Sequence, residues 1–356
     1  MTLQKTISLE IDENIAMDIE QLLNGGFYPL KSFMNYEVLE NVLKKMCLPT
    51  GEIWPIPILF PKFFKQEVKT GTQLLLKHKG KNLATMKISD IFQYDLKKIA
   101  KSFFGTLNSD HPGVHQLLSS PNIFLSGILS RKNSLSNIMK IKALDPNETK
   151  KIIKNKKWKK IVGFHTRNPP HRAHEYLHKV TLENADGLLI HPVVGSKKSG
   201  DFSNPAIMAS YRNYVNNYLP KNNVVLTPLL TYSRYGGPKE AVFTALVRRN
   251  YGCTHFIIGR DHTGVKKFYG KFDSQKIFKK LNDVGIKILK FDEPFYCKKC
   301  EQITTNKTCP HDKKYYVEIS GTIIRQAIKN NTDISEVYIR NEVFKELLTM
   351  KKIFVK

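Results

Sequence analysis

Three short segments of this chain carry side chains suited to holding a multiply charged anion. The first runs His165, Thr166, Arg167, Asn168, Pro169, Pro170, His171, Arg172, Ala173, His174, and so combines a guanidinium, a hydroxyl, an amide and imidazoles. His171 and His174 stand three residues apart, a spacing that puts both rings on one face of a first helical turn. Two prolines suit the opening of a helix, where unpaired N–H groups and the helix dipole attract phosphate. A metal pair or a solvated helix face would use the same two histidines. The second segment, Gly259, Arg260, Asp261, His262, Thr263 and Gly264, is a polar loop bounded by glycines. The third, Ile319, Ser320, Gly321 and Thr322 with Arg325 one turn on, offers hydroxyls and N–H groups at a helix start. A fourth cluster has different chemistry: Cys297, Cys300, Cys309 and His311 form C-x2-C-x8-C-x-H, the thiol and imidazole donors that a tetrahedral zinc takes. With all four positions filled the expected zinc is structural, although the close C-x-H spacing leaves Asp312 or a water as an alternative fourth ligand.

The elements that must position these segments are legible in the apolar pattern. After Trp158 strands are expected at 161–164, 187–194, 224–230, 255–258 and 286–291. Helices are expected at 171–184, 207–218, 238–250 and near 275–282. Apolar strands alternating with amphipathic helices predict a parallel sheet with helices on both faces, and in such a sheet ligands bind at the carboxyl ends of the strands. The first and second polar segments each follow a strand, so they fall on that edge. Before this region, residues 1–142 read as a β-rich domain with a hairpin of 73–79 and 83–88 turning at Gly80, Lys81 and Asn82. Asp145, Pro146 and Glu148 mark a helix start. Residues 143–321 form the expected α/β domain and 322–356 a helical C-terminal region.

The polar segments resemble the QTRNPxHxxH, GRDHAG and ISGTxxR signatures of the ATP sulfurylase (sulfate adenylyltransferase) family. His191, Pro192, Val194, Gly195, Lys198, Gly200 and Asp201 are similar to its HPxVGxxKxGD stretch, and Arg234, Tyr235, Gly237 and Pro238 to its RYAGP stretch, with Gly236 replacing alanine. Gly26, Pro29, Leu30, Phe33, Met34, Trp54, Pro55, Ile56, Pro57, His111, Pro112 and Gly113 are similar to its N-terminal domain. The resemblance implies a PUA-like first domain, a Rossmann-like nucleotidyltransferase domain, and reversible conversion of MgATP and sulfate to adenosine 5′-phosphosulfate and pyrophosphate. A sulfate oxygen would attack the α-phosphorus. It further implies that Arg167 holds sulfate, that Thr166 and Asn168 order the reacting phosphate, and that His171 and His174 balance charge on the departing pyrophosphate. Gly259, Arg260, Asp261 and His262 would hold the nucleotide, together with His165 and Arg167, and the Thr263 N–H would complete the sulfate pocket. Zinc at the cysteine cluster and a homo-oligomer, a homodimer by preference, are also implied. No P-loop segment follows, so a fused adenylylsulfate kinase is not expected. Two departures stand out: His165 replaces glutamine, and Thr263 replaces alanine.

The 356 residues carry 57 Lys and Arg against 31 Asp and Glu, a formal charge of +26 that favours anionic partners. An AT-rich genome would enrich lysine without selection for binding, and a solvated face accounts for the lysines of 150–160. A different nucleotidyltransferase and an RNA-binding protein are the competing readings; the second lacks the aromatic and basic signatures of an RNA module. With acidic residues within the first 23 positions no secretory leader is expected, and no apolar run is long enough to span a bilayer. Five cysteines, three of them crowded, point to a reducing cytoplasm rather than a disulfide scaffold. Neither membrane nor specific nucleic acid is expected as a partner.

Overall fold

A computed structural model describes residues 6–260, 262, 264–265 and 268–355. The chain divides into two units: Met1–Thr149 with Leu230–Tyr251 and Asp261–Gly285, and Lys150–Leu229 with Gly252–Arg260 and Ile286–Lys356.

The first unit is built on a five-stranded sheet in the order Ile7–Glu10, Gln73–His78, Lys81–Gln93, Ile123–Arg131, Phe60–Pro61. The first pair is parallel and the others antiparallel. The expected hairpin is present, closed by Lys79 and Gly80, both at positive φ. Gly127 is required by its neighbour across the sheet, since a β-carbon there would stand 2.3 Å from the Lys87 carbonyl oxygen. Helices Glu13–Asn24, Tyr36–Lys45, Leu96–Phe104, Pro112–Leu118 and Leu135–Met139 accompany the sheet. Most have an N-cap of the kind sequence can supply: Asp12, Asn35, Asp95 and Ser134 each accept a bond from a first-turn N–H. Trp54, Phe27 and Phe243 pack edge to face at 5.1–5.9 Å between ring centres, and helix Gly237–Asn250, which carries Phe243, is buried along almost its whole length.

In the second unit a fully parallel sheet runs Lys287–Lys290, His255–Ile258, Ile161–Thr166, Gly187–Pro192, Val224–Leu226. Its first strand in sequence lies in the middle. The chain proceeds outward on one side through 187–192 and 224–226, then returns to place 255–258 on the other. Strand order therefore reverses between Ile161–Thr166 and His255–Ile258, the topological switch point at which open α/β sheets bind ligands. Helices Arg172–Leu182, Asn204–Tyr218, Gly321–Lys329 and Asn341–Thr349 enclose a core of Phe164, Ile190, Tyr211, Tyr214, Ile324 and Phe344. The expected helix at 207–218 begins earlier, at Asn204, because Ser203 caps it and Pro205 suits its first turn. The region expected as a helix near 275–282 contracts to Asp273–Lys276 and a 3-10 turn over Ile277–Lys280. A small antiparallel sheet, Gln302–Thr304, Phe295–Cys297 and Tyr316–Glu318, packs its first strand against helix Arg172–Leu182. No helix among the described residues is long and apolar enough to cross a membrane.

Candidate functional site

Strand Ile161–Thr166 is buried and delivers its last residues to the switch point. Thr166 then folds the chain on itself: its Oγ1 accepts the Asn168 N–H at 3.2 Å and donates to the Asn168 carbonyl at 3.1 Å. The prolines stand before the helix rather than inside it. His171 is the cap, its Nδ1 accepting the His174 N–H at 3.3 Å, and the helix proper starts at Arg172. The Arg172 N–H is taken by the Tyr338 carbonyl at 2.9 Å. Two of the first N–H groups are thus already satisfied within the chain, so the donors at this helix start are its side chains more than its backbone.

The expected pairing of His171 and His174 is present as a stack, with ring centres 3.7 Å apart and planes 24° from parallel. His178 extends the row one turn deeper, against Phe164 at 4.3 Å. Two buried tyrosines hold the row: the Tyr211 hydroxyl lies 3.2 Å from His174 Nδ1 and the Tyr214 hydroxyl 3.2 Å from His178 Nδ1. Burial drives all three histidines toward the neutral form, His171 to about 4, His178 to about 3 and His174 well below the usual imidazole range. With its Nδ1 used as an acceptor, neutral His171 carries its proton on Nε2 and presents a donor there. These rings are hydrogen-bonding groups at neutral pH and not fixed cations.

Basic side chains come from elsewhere. Arg167 follows Thr166 directly. Lys197, on the loop after strand Gly187–Pro192, lies with Nζ 3.4 Å from the Arg167 carbonyl. Arg325, on helix Gly321–Lys329, pairs with Asp201 at 3.5 Å. Asn168 is also the contact for the third polar segment: a β-carbon on Gly321 would lie 3.0 Å from its Cγ. Ser320 caps that helix by position without a side-chain bond. His165 is half-buried and pairs in register with His191 on the neighbouring strand.

The second polar segment is divided between the two units. Gly259 and Arg260 leave strand His255–Ile258, Arg260 pairing with Glu293 at 2.7 Å, and no atom of the described residues lies within 4 Å of where a β-carbon would stand on Gly259. His262 belongs to the first unit, where its Nε2 lies 3.0 Å from Thr244 Oγ1 and its carbonyl accepts the Ser274 hydroxyl at 2.7 Å. Asp261 and Thr263 lie outside the described residues.

Cys297, Cys300, Cys309 and His311 form one cage whose donor atoms all lie within 4.8 Å of one another. Both Cys297 Sγ and Cys300 Sγ approach His311 Nδ1, at 3.4 and 3.2 Å, while Cys309 Sγ lies 3.8 Å from both Cys300 Sγ and His311 Nδ1. A tetrahedral zinc with ligands at roughly 2.0 to 2.3 Å separates its donors by about 3.5 to 3.8 Å, so the donor set fits. The Cys300 N–H donates to Cys297 Sγ at 3.5 Å. None of the five cysteines is in a disulfide.

Lys197, Tyr211 and Glu293 escaped sequence reasoning. Lys197 is one of two adjacent lysines in a basic chain, Tyr211 is one of several aromatics along its helix, and Glu293 is an isolated acid; nothing local distinguishes them.

The ATP-sulfurylase family matches residues 142–350 and the PUA-like domain residues 2–133. Sulfate adenylyltransferase of Staphylothermus marinus is 39% identical over 350 residues, covering 98% of this chain and 92% of its own. That of Pyrococcus abyssi is 39% identical over 347 residues, covering 98% and 91%. That of Chloroflexus aurantiacus (strain J-10-fl) is 37% identical over 338 residues, covering 94% and 89%. Among solved structures, the hexameric APS kinase from Thiobacillus denitrificans shares the fold, with a TM-score of 0.74 at 20% identity over 98% of this chain; the chain spans 64% of that one. Matched over most of its length by relatives of one name, the chain belongs to the ATP-sulfurylase family.

Proposed function

We infer that this chain is a sulfate adenylyltransferase that joins sulfate to the α-phosphorus of MgATP, releasing pyrophosphate and forming adenosine 5′-phosphosulfate, and that it runs the reverse. The observation that carries the reading is the meeting, at the switch point of a parallel sheet, of the Arg167 and Asn168 turn with the Gly321 helix start and the capped His171–His174 stack. A sulfate oxygen forms the new bond to phosphorus while the bond to the pyrophosphate oxygen breaks. Fully ionised sulfate needs no base, so the residues have only to bind, align and balance charge.

In this reading Arg167 grips sulfate through its planar fork, with His165 beside it in the place of the family glutamine and the Thr263 N–H completing the pocket. Asn168, fixed by Thr166, aligns the α-phosphate. His171 and His174 stabilise the pyrophosphate oxygens as N–H donors. Gly259, Arg260, Asp261 and His262 hold the nucleotide. Magnesium enters with ATP and neutralises its phosphates. Zinc at Cys297, Cys300, Cys309 and His311 ties down the small sheet whose last strand, Tyr316–Glu318, runs into Ser320 and Gly321.

We also propose a functional boundary near residue 142, a catalytic part to 321 and a helical tail over 322–356, a homodimer in solution, and a cytoplasmic location in keeping with the thiol cluster. Sulfate-dependent pyrophosphate release from MgATP by the purified chain tests the activity. Failure to form adenosine phosphosulfate, and to make ATP from it with pyrophosphate, would overturn the assignment.

A further inference from the structure

Two basic residues, Arg167 and Lys197, meet at the Arg167 turn. Arg167 comes from the strand end and Lys197 from the next loop, while Arg325 and Lys329 come from helix Gly321–Lys329; Lys329 reaches the turn at Gly200. Asp201, on the same loop as Lys197, is engaged by Arg325. Lys197 is half-buried, and its Nζ is tied to the same turn as Arg167 through the Arg167 carbonyl. A guanidinium and an ammonium brought together at the strand end suit a tetrahedral oxyanion, either sulfate or a phosphate of the nucleotide.

We propose that Lys197 is a further ligand of the bound oxyanion beside Arg167, and that it takes up a proton when the anion binds. The inference rests on the adenylyltransferase reading of this site. Before the anion arrives, burial pulls Lys197 down to about 7; Asp201 opposes that fall and the Arg167 guanidinium adds to it. An arriving dianion faces the ammonium and reverses the balance, so the lysine is charged in the complex at a pH where much of it is neutral in the free protein. Affinity for the anion should therefore fall as pH rises past about 7, because binding must then draw a proton from solution.

The test is KM for sulfate and for MgATP, measured separately from pH 6 to 9 in the wild-type chain, Lys197→Met and Lys197→Arg. Calorimetric titration with each anion, in two buffers of different protonation enthalpy, counts protons taken up. In the wild type KM for one anion should rise above pH 7 by up to about tenfold per unit, and that anion is the one Lys197 holds. Lys197→Met should raise this KM about ten- to a hundredfold at pH 6 and flatten its profile. Lys197→Arg, charged throughout, should keep KM low and flat and take up no proton at pH 8. Superimposable profiles in all three proteins, or a raised KM in Lys197→Met with the pH dependence intact, would sink the Lys197 role while leaving the enzyme assignment standing. A wild type without transfer in either direction would sink that assignment instead, and proton uptake on binding MgATP or sulfate would still decide the lysine.

Discussion

The carboxamide of Asn168 occupies the space beside Gly321 so closely that a β-carbon on that glycine would stand 3.0 Å from Asn168 Cγ and 3.3 Å from its nitrogen and oxygen. Two motifs separated by some 150 residues of sequence are thereby made parts of one surface. Gly321→Ala should push Asn168 off its position and lower kcat/KM about ten- to a hundredfold, the cost typical of a small misplacement in a site. Its melting temperature should change little. Because the damage passes through Asn168, the same substitution made in an Asn168→Ala background should cost much less. Additive losses in kinetics of the double variant would place the effect elsewhere.

Arg167→Ala and His174→Ala should each lower turnover by about 100- to 1,000-fold, the usual loss when a transition-state contact is removed. The two differ in stability. Arg167 lies on a turn, but the His174 ring packs against Phe164 and His171 and bonds Tyr211, so its truncation also opens the core. Thermal unfolding should separate them, with Arg167→Ala melting like the wild type and His174→Ala several degrees lower.

The histidine row makes stability depend on acid. Unfolded, His171 and His178 titrate near the ordinary value of about 6.5; folded, burial holds them to about 4 and about 3. The unfolded chain therefore binds more protons in this interval, so stability is intact above about pH 6.5 and drains away as pH falls toward 4 and 3. Melting temperature against pH should show this decline, and His178→Gln should shallow it. An unchanged slope would mean the rings titrate normally in the native protein.

Protein prepared without chelator should contain one zinc per chain. Its removal, or Cys297→Ser with Cys300→Ser, should lower the melting temperature. Since strand Tyr316–Glu318 leads straight into Ser320 and Gly321, activity should fall in step with the metal. Elemental analysis beside an activity titration with chelator checks both; full activity in metal-free protein would separate the cage from the site.

Asp18 and Arg234 are buried together, joined by a direct ion pair and bridged by the Tyr232 hydroxyl, which donates to Asp18 at 3.1 Å and accepts from Arg234 at 2.7 Å. Removing one member strands the other charge. Asp18→Asn should cost about 3 to 5 kcal/mol in denaturant unfolding, whereas Lys44→Met, which breaks a surface pair with Glu40, should leave the unfolding midpoint nearly unchanged.

Much of the fold and part of the site were legible in the residues themselves. Short apolar runs announced the parallel strands, and the Asp145 and Glu148 pair does cap a helix, each side chain accepting the other's N–H at 2.8 and 2.7 Å. Cys-x2-Cys announced the cage. These are local patterns, set by runs of apolar side chains, capping chemistry and donor type within a few residues. The sequence also placed His171 and His174 on one face, because helical spacing does so. Only tertiary structure decided that the rings would be neutral, since that depends on Phe164 and Tyr211 arriving from other elements to exclude water. It likewise decided that the first N–H groups after the prolines would be spent on His171 and Tyr338, that Asn168 would meet Gly321, and that Lys197 would stand beside Arg167. Those pairings join residues distant in sequence. Their geometry follows from strand order and helix packing, which no spacing along the chain records.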